Sequence, residues 1–168
     1  MASRIFVTVG TQLPFDRLVG AVDAWAARHP EADVFAQIGA GIAPCHARHA
    51  ANVDPQTFAR SVAAADVVVA HAGMGTILTA LELGKPVLVM PRRAALGEHR
   101  NEHQRATVAR LAHLEALHVV EQEAEVARAL DALLGARGQR CAAAAPSSAR
   151  VELVRAVAAF VAGQVLPC

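Results

Sequence analysis

Residues 61–92 read SVAAADVVVAHAGMGTILTALELGKPVLVMPR, and the fold class follows from this stretch. Asp66 to Ala70 contains a run of valines, the composition of a parallel strand buried on both faces. The run breaks into His71-Ala72-Gly73-Met74-Gly75-Thr76. Ile77, Leu78 and Leu81 then recur at helical spacing until Gly84, which stops the helix. Pro86 to Met90 is a second apolar run, closed by Pro91. Strand, helix and strand in this order predict a parallel crossover unit, right-handed like almost all such units.

The same alternation extends in both directions. Ile5 to Val9 reads as a buried strand ending in Gly10-Thr11-Gln12. Asp16 or a near neighbour starts a helix covering Leu18, Val22 and Trp25, and His29-Pro30 ends it. Ala32 to Ile38 is the second strand. Cys45 to Val53 is ambiguous, with room for a short third strand. Pro55 stands near the start of a helix that carries Phe58, Val62 and Ala65 on one face. Beyond the opening stretch, Arg92 to Arg100 reads as a polar, charged loop. Asn101 is placed to cap a helix reaching about His113. Leu117 to Val120 is a short last strand, and Val126, Leu130, Leu133 and Leu134 mark another helix.

These elements predict an α/β fold: a single Rossmann-like domain with a mainly parallel sheet covered by helices on both faces. Its bounds are residues 1–136. Residues 137–147 read as a linker, and residues 148–163 as an amphipathic helix with Val151, Val154, Val157 and Phe160 on one stripe.

The composition excludes several function classes. A chain of 168 residues suits one domain. Its 16 basic and 15 acidic side chains give a net charge of +1, which draws it to no polyanion. Aromatics are 4% of the residues, too few for a base-stacking platform, so nucleic acid is not an expected partner. Three scattered cysteines make neither a disulfide framework nor a zinc set, so no metal or other cofactor is expected, and a reducing cytoplasm fits them. The opening MASRIFVTVG is too short an apolar run for a signal peptide, and no stretch has the length of a membrane span.

In open α/β sheets ligands bind beyond the carboxyl ends of the strands. Three polar segments fall there: Gly10-Thr11-Gln12, His71 to Thr76, and Arg92 to Gln104. Two readings of Gly73 and Gly75 stand side by side. Either they let the backbone approach a ligand, with a helix opening near Thr76 offering unpaired N–H groups to a phosphate, or they only make a tight turn. His71 is either a phosphate ligand or a structural histidine. Glu82, near the helix end, reads as a solvated carboxylate. Asn101 and Gln104 share a helical face, flanked by His99 and His103, and their amides suit ribose or sugar hydroxyls. The alternative for that segment is an exposed charged loop. Neither a P-loop nor Gly-x-Gly-x-x-Gly follows any strand.

IFVTVGTQLPFDRLV at residues 5–19, the stretch at 61–92 and GEHRNEHQ at 97–104 together resemble the glycosyltransferase family 28 C-terminal domain. The similarity covers residues 4 to 134 and is greatest to free-standing forms: the small subunit of the two-part dolichol-linked N-acetylglucosaminyltransferase and its bacterial exopolysaccharide counterparts. The resemblance implies the C-terminal, donor-binding half of a GT-B fold, with a UDP-sugar as donor. It also implies a membrane-attached partner subunit that supplies the acceptor half, a lipid-linked or glycan acceptor, and a cytoplasmic location at the inner face of the membrane through that partner.

Carried over by position, Gly10, Thr11 and Gln12 resemble the loop near the diphosphate and the interdomain cleft. His71, Gly73, Met74, Gly75 and Thr76 resemble the glycine-rich diphosphate turn, with His71 in the catalytic role. Asn101, His103 and Gln104 resemble the segment facing ribose and sugar, and the region of Phe58 resembles the part near the base. Thr79 stands where many members carry a ribose-gripping glutamate. The implied chemistry is an inverting hexosyl transfer without a metal. The rival readings are a non-catalytic subunit that binds the nucleotide sugar, a small nicotinamide-dependent enzyme, and a purely structural partner domain.

Overall fold

In the computed structural model of the chain, residues 2–100 and 103–140 are described. The elements are β1 (Arg4–Thr8), α1 (Asp16–Ala26), β2 (Asp33–Gln37), β3 (Arg48–Ala50), α2 (Pro55–Ala64), β4 (Val67–His71), α3 (Met74–Glu82), β5 (Val87–Met90), a 3₁₀ turn (Ala94–Leu96), α4 (His103–Leu111), β6 (Leu117–Val119) and α5 (Glu123–Arg140). The six strands form one sheet in the order β3-β2-β1-β4-β5-β6, and every pairing is parallel. The chain builds outward from β1 to one edge, then returns to β4 and builds to the other. The strand order therefore reverses between β1 and β4, where an open α/β sheet leaves a crevice.

Strand alternation divides the core in two. Ile5, Val7, Val67, Val69 and Leu88 face α1 and α5, where Leu18, Val22, Trp25, Val126 and Leu130 meet them. Phe6, Val68, Val87 and Val89 face the other way, against Val62, Ile77 and Leu111. Successive residues of one strand thus serve opposite layers, as the pleat dictates. This is why β1, β4 and β5 need almost unbroken apolar sequence. Trp25 adds a polar tie, donating its Nε1–H to Asp131 at 2.7 Å across the α1–α5 contact.

The ambiguous stretch after β2 resolves into a three-residue edge strand. The Asp23 carboxylate on α1 accepts from the backbone N–H groups of Cys45, His46 and Ala47 at 2.7–2.9 Å, which delivers the chain to the edge of β2. Burial works against the ionised carboxylate, but those three donors outweigh it and hold Asp23 below its usual pKa. At α2, Asp54 caps the helix by accepting from Thr57 N at 2.9 Å, with Pro55 in the first turn.

Two boundaries differ from the sequence reading. Helix α3 begins at Met74, two residues before Thr76, because Gly73 is its N-cap. Helix α5 runs through Gly135 to Arg140, into the stretch read as a linker from 137. The helix carries two glycines, Gly135 and Gly138, each costing only about 1 kcal/mol relative to alanine. Burial of Val126, Leu130 and Leu133 outweighs that. The rest of the expected linker and the helix at 148–163 lie outside the described residues, as does the expected cap Asn101.

Candidate functional site

A cavity of about 580 Å³ opens at the carboxyl ends of β1, β4 and β5, over the point where strand order reverses. Gly10, Thr11 and Gln12 form one wall. His71 and residues 73–76 form the floor, and Arg92, His99 and Gln104 close the side beyond β5. Thr79 and Thr107 line it from α3 and α4, and Asn52, Val53 and Phe58 border the end toward α2. Of the site residues expected from sequence, Gly10, Thr11, Gln12, His71, Gly73, Met74, Gly75, Thr76, Thr79 and Gln104 all meet here. His103 is the first residue of α4, and Asn101 lies outside the described residues. Glu82 is exposed at the far end of α3 and takes no part in the lining.

The two glycines of the turn have different causes. A Cβ on Gly73 would lie 2.0 Å from His71 Cε1, so packing alone demands glycine there. A Cβ on Gly75 would meet nothing within 4 Å, so protein packing makes no such demand. Gly73 caps α3 in an extended conformation with no side-chain hydrogen bond, and the first intrahelical bond runs from Ile77 N to the Gly73 carbonyl at 3.2 Å. The N–H groups of Met74, Gly75 and Thr76 are therefore the orphan donors of this helix, presented at the cavity with the positive end of its dipole. Thr79 turns its hydroxyl inward, donating to the Gly75 carbonyl at 2.9 Å.

His71 sits between the two loops. Its ring packs against Gly10 on one side, where a Cβ would fall 2.6 Å from Nε2, and against Gly73 on the other. Gly10 also has a φ of 74°, so glycine is required there twice over. Burial, reinforced by the Arg92 and His99 charges, lowers the His71 pKa to about 4. The imidazole is neutral at neutral pH, and its Nδ1 lies 3.3 Å from Gln104 Nε2.

The charged segment after β5 departs most from expectation. Arg92 is only 2% exposed. Its guanidinium donates to the carbonyls of Val9 and Pro14 (2.7 Å each), Glu98 (2.9 Å) and Leu13, and lies over the Phe15 ring. Burial draws its pKa down, opposed by the nearby Glu98. Glu98 grips Arg17 of α1 through both oxygens, at 2.7 and 3.0 Å, and accepts from Arg93 N at 2.8 Å. These bonds outweigh the effect of burial and keep Glu98 well ionised. The segment is thus a strut that holds the Gly10–Gln12 loop rather than a solvated loop.

Gln37 was not singled out by sequence. At the end of β2, it accepts from Thr8 Oγ1 at 2.7 Å and donates to the Gly10 and Ala51 carbonyls at 3.0 and 2.9 Å. A polar residue closing an apolar strand was the available signal. Among the described residues, no group of three histidine, cysteine or acidic side chains gathers as a metal would need. None of their helices is long and apolar enough to cross a membrane.

Solved structures share this architecture. The glycotransferase of kitacinnamycin superimposes with a TM-score of 0.67 at 22% identity, over 98% of this chain and 43% of that one. MurG of Acinetobacter baumannii gives 0.59 at 20% identity, over 82% of this chain and 42% of that one. A UDP-GlcNAc 2-epimerase from Neisseria meningitidis bound to UDP-GlcNAc also gives 0.59, at 12% identity, over 93% and 44%. At such identities these similarities establish the fold, and the chain spans less than half the length of each. No curated protein matches the sequence. Residues 4–158, however, match the glycosyltransferase family 28 C-terminal domain. With the parallel sheet, the reversed strand order and the cavity above it, that match makes the chain a member of the glycosyltransferase family 28 C-terminal domain family, folded as the C-terminal half of a GT-B glycosyltransferase.

Proposed function

We propose that this domain binds the donor of an inverting glycosyltransferase, a UDP-sugar, and presents it to an acceptor half supplied by a membrane-attached subunit. The observation that carries the reading is the unpaired first turn of α3, opening on a cavity of about 580 Å³ at Gly75. Three orphan N–H groups at a helix N-terminus suit a diphosphate by hydrogen bonding and by dipole.

The chemistry assigned to the site is direct displacement. A hydroxyl oxygen of a lipid-linked or glycan acceptor forms a bond to the anomeric carbon from the face opposite the diphosphate. The bond from that carbon to the diphosphate oxygen breaks, and its electron pair stays on the departing diphosphate. The acceptor proton passes to a base on the acceptor half. Charge grows on the diphosphate as the bond breaks, so fixed donors at Met74, Gly75 and Thr76 act most strongly at the transition state. His71 serves this step as a neutral donor, since a pKa of about 4 leaves it poorly suited to hold the acceptor's proton at neutral pH. Gly10 to Gln12 border the diphosphate. Thr79 and Gln104 are assigned to the ribose and sugar, as Asn101 and His103 are by the family resemblance alone, and Phe58 to the base. Nothing in the scheme calls for a cofactor.

Calorimetric titration with a panel of UDP-sugars, beside nicotinamide dinucleotides, tests the reading. Saturable binding of one sugar nucleotide that is lost in a folded Gly75→Asp variant is expected. No binding, by the chain alone or with its partner half added, overturns it.

A further inference from the structure

A backbone N–H can only donate. The Arg92 N–H lies 3.1 Å from one end of the Gln104 amide, so that end is the carbonyl oxygen. The opposite end is then the NH₂, and it faces His71 Nδ1 at 3.3 Å. Gln104 is 5% exposed and Arg92 2%, so the pair is held inside the protein. An NH₂ group at Nδ1 needs a lone pair there, which leaves the single ring proton of neutral His71 on Nε2.

We infer that Gln104 is a positioning residue: anchored on the Arg92 backbone, it fixes His71 as the Nε2–H tautomer and so makes it a hydrogen-bond donor at the cavity. The catalytic use of that donor rests on the donor-binding reading above, but the tautomer does not. The groups around the ring favour the same state. Gly10 and Gly73 pack against it without a side chain, and Arg92 and His99 are the charged or titratable groups that oppose a second proton. A sugar-facing role for Gln104 is compatible, since it also borders the cavity.

The test is the imidazole ¹⁵N spectrum of the full, ligand-free chain at neutral pH, with the His71 signals assigned by their loss in His71→Asn. The wild-type chain is expected to show a protonated Nε2 and an unprotonated Nδ1. Gln104→Glu keeps an acceptor for the Arg92 N–H but turns a carboxylate toward Nδ1. In that variant Nδ1 is expected to gain a proton, and the proton affinity of His71 to rise at least about tenfold. Gln104→Met, of similar length but without a donor, is expected to show both tautomers. An Nδ1–H tautomer in the wild type, or an unchanged His71 spectrum in both variants, overturns the inference. Because no sugar nucleotide enters the experiment, its failure is separable from failure of the donor-binding reading, which calorimetry decides.

Discussion

The turn after β4 and the loop after β5 border one cavity by opposite means. The first carries no ionic side chain and turns unpaired backbone N–H groups outward. The second is dense in charge and turns much of it inward, Arg92 onto four carbonyls and Glu98 onto Arg17. One region has donors to spare, whereas the other has spent its donors on the protein itself. Charge in a sequence is therefore a poor guide to what faces a cavity, since the turn with the fewest formal charges is the one that presents unpaired donors to it.

The sharpest way to break the comparison is Arg92→Leu. It leaves the buried carbonyl of Val9 and the partly buried carbonyls of Leu13, Pro14 and Glu98 without their shared donor. A loss of about 3 kcal/mol or more is expected, read from the urea midpoint. Lysine, with one nitrogen in place of a fork, should recover less than half. An unchanged midpoint would mean that the loop needs no internal strut.

Acid should act next most strongly, through His71. Its pKa is about 4 in the folded protein against 6.5 unfolded. Between those values the unfolded chain binds the proton and the native chain does not. The stabilisation is complete above pH 6.5 and drains away as pH falls toward 4. The difference between wild type and His71→Asn should shift by roughly 2–3 kcal/mol across that window. Parallel stability curves for the two proteins would contradict a partly buried ring held neutral by its surroundings.

The two glycines of the turn sharpen the contrast on a smaller scale. Gly73→Ala must displace the His71 ring and should cost about 1–3 kcal/mol in thermal or urea unfolding. Gly75→Asp should cost under about 1 kcal/mol, since acids are welcome in a first helical turn, yet abolish sugar-nucleotide binding. Equal destabilisation by both would erase the distinction drawn between them. Least of all should come from the opposite edge of the sheet. There Arg48 pairs with Asp33 in the open, and Arg48→Gln should change stability by less than about 1 kcal/mol and donor affinity not at all.

Much of the architecture was legible because it is written in local patterns. The valine run of β4, the apolar run of β5 and the helical spacing of Leu18, Val22 and Trp25 each specify an element without distant help. Gly10 and Gly73 likewise marked the cavity, because backbone that must bend or approach closely uses few residue types. What escaped depends on partners far along the chain. Arginine is rarely buried, so nothing adjacent to Arg92 foretells bonds to carbonyls some eighty residues earlier. Gln37 and Gln104 were equally opaque in their inward roles, since an amide reads as a ligand contact until its partners are known. The length of α5 was hidden for a related reason: its packing on α1 overrides the weak local signal of Gly135.

Lys85 is the chain's single lysine, and its ammonium donates to the Ala65 carbonyl at 2.9 Å, just ahead of β4 and β5. In an all-parallel sheet, everything that precedes a strand lies at the edge opposite the loops that follow one. The only side-chain amine is thus on the far side of the sheet from the cavity. Amine-directed attachment to a sensor chip or bead through Lys85 would orient the protein without engineering, with the mouth of the cavity turned to the solution.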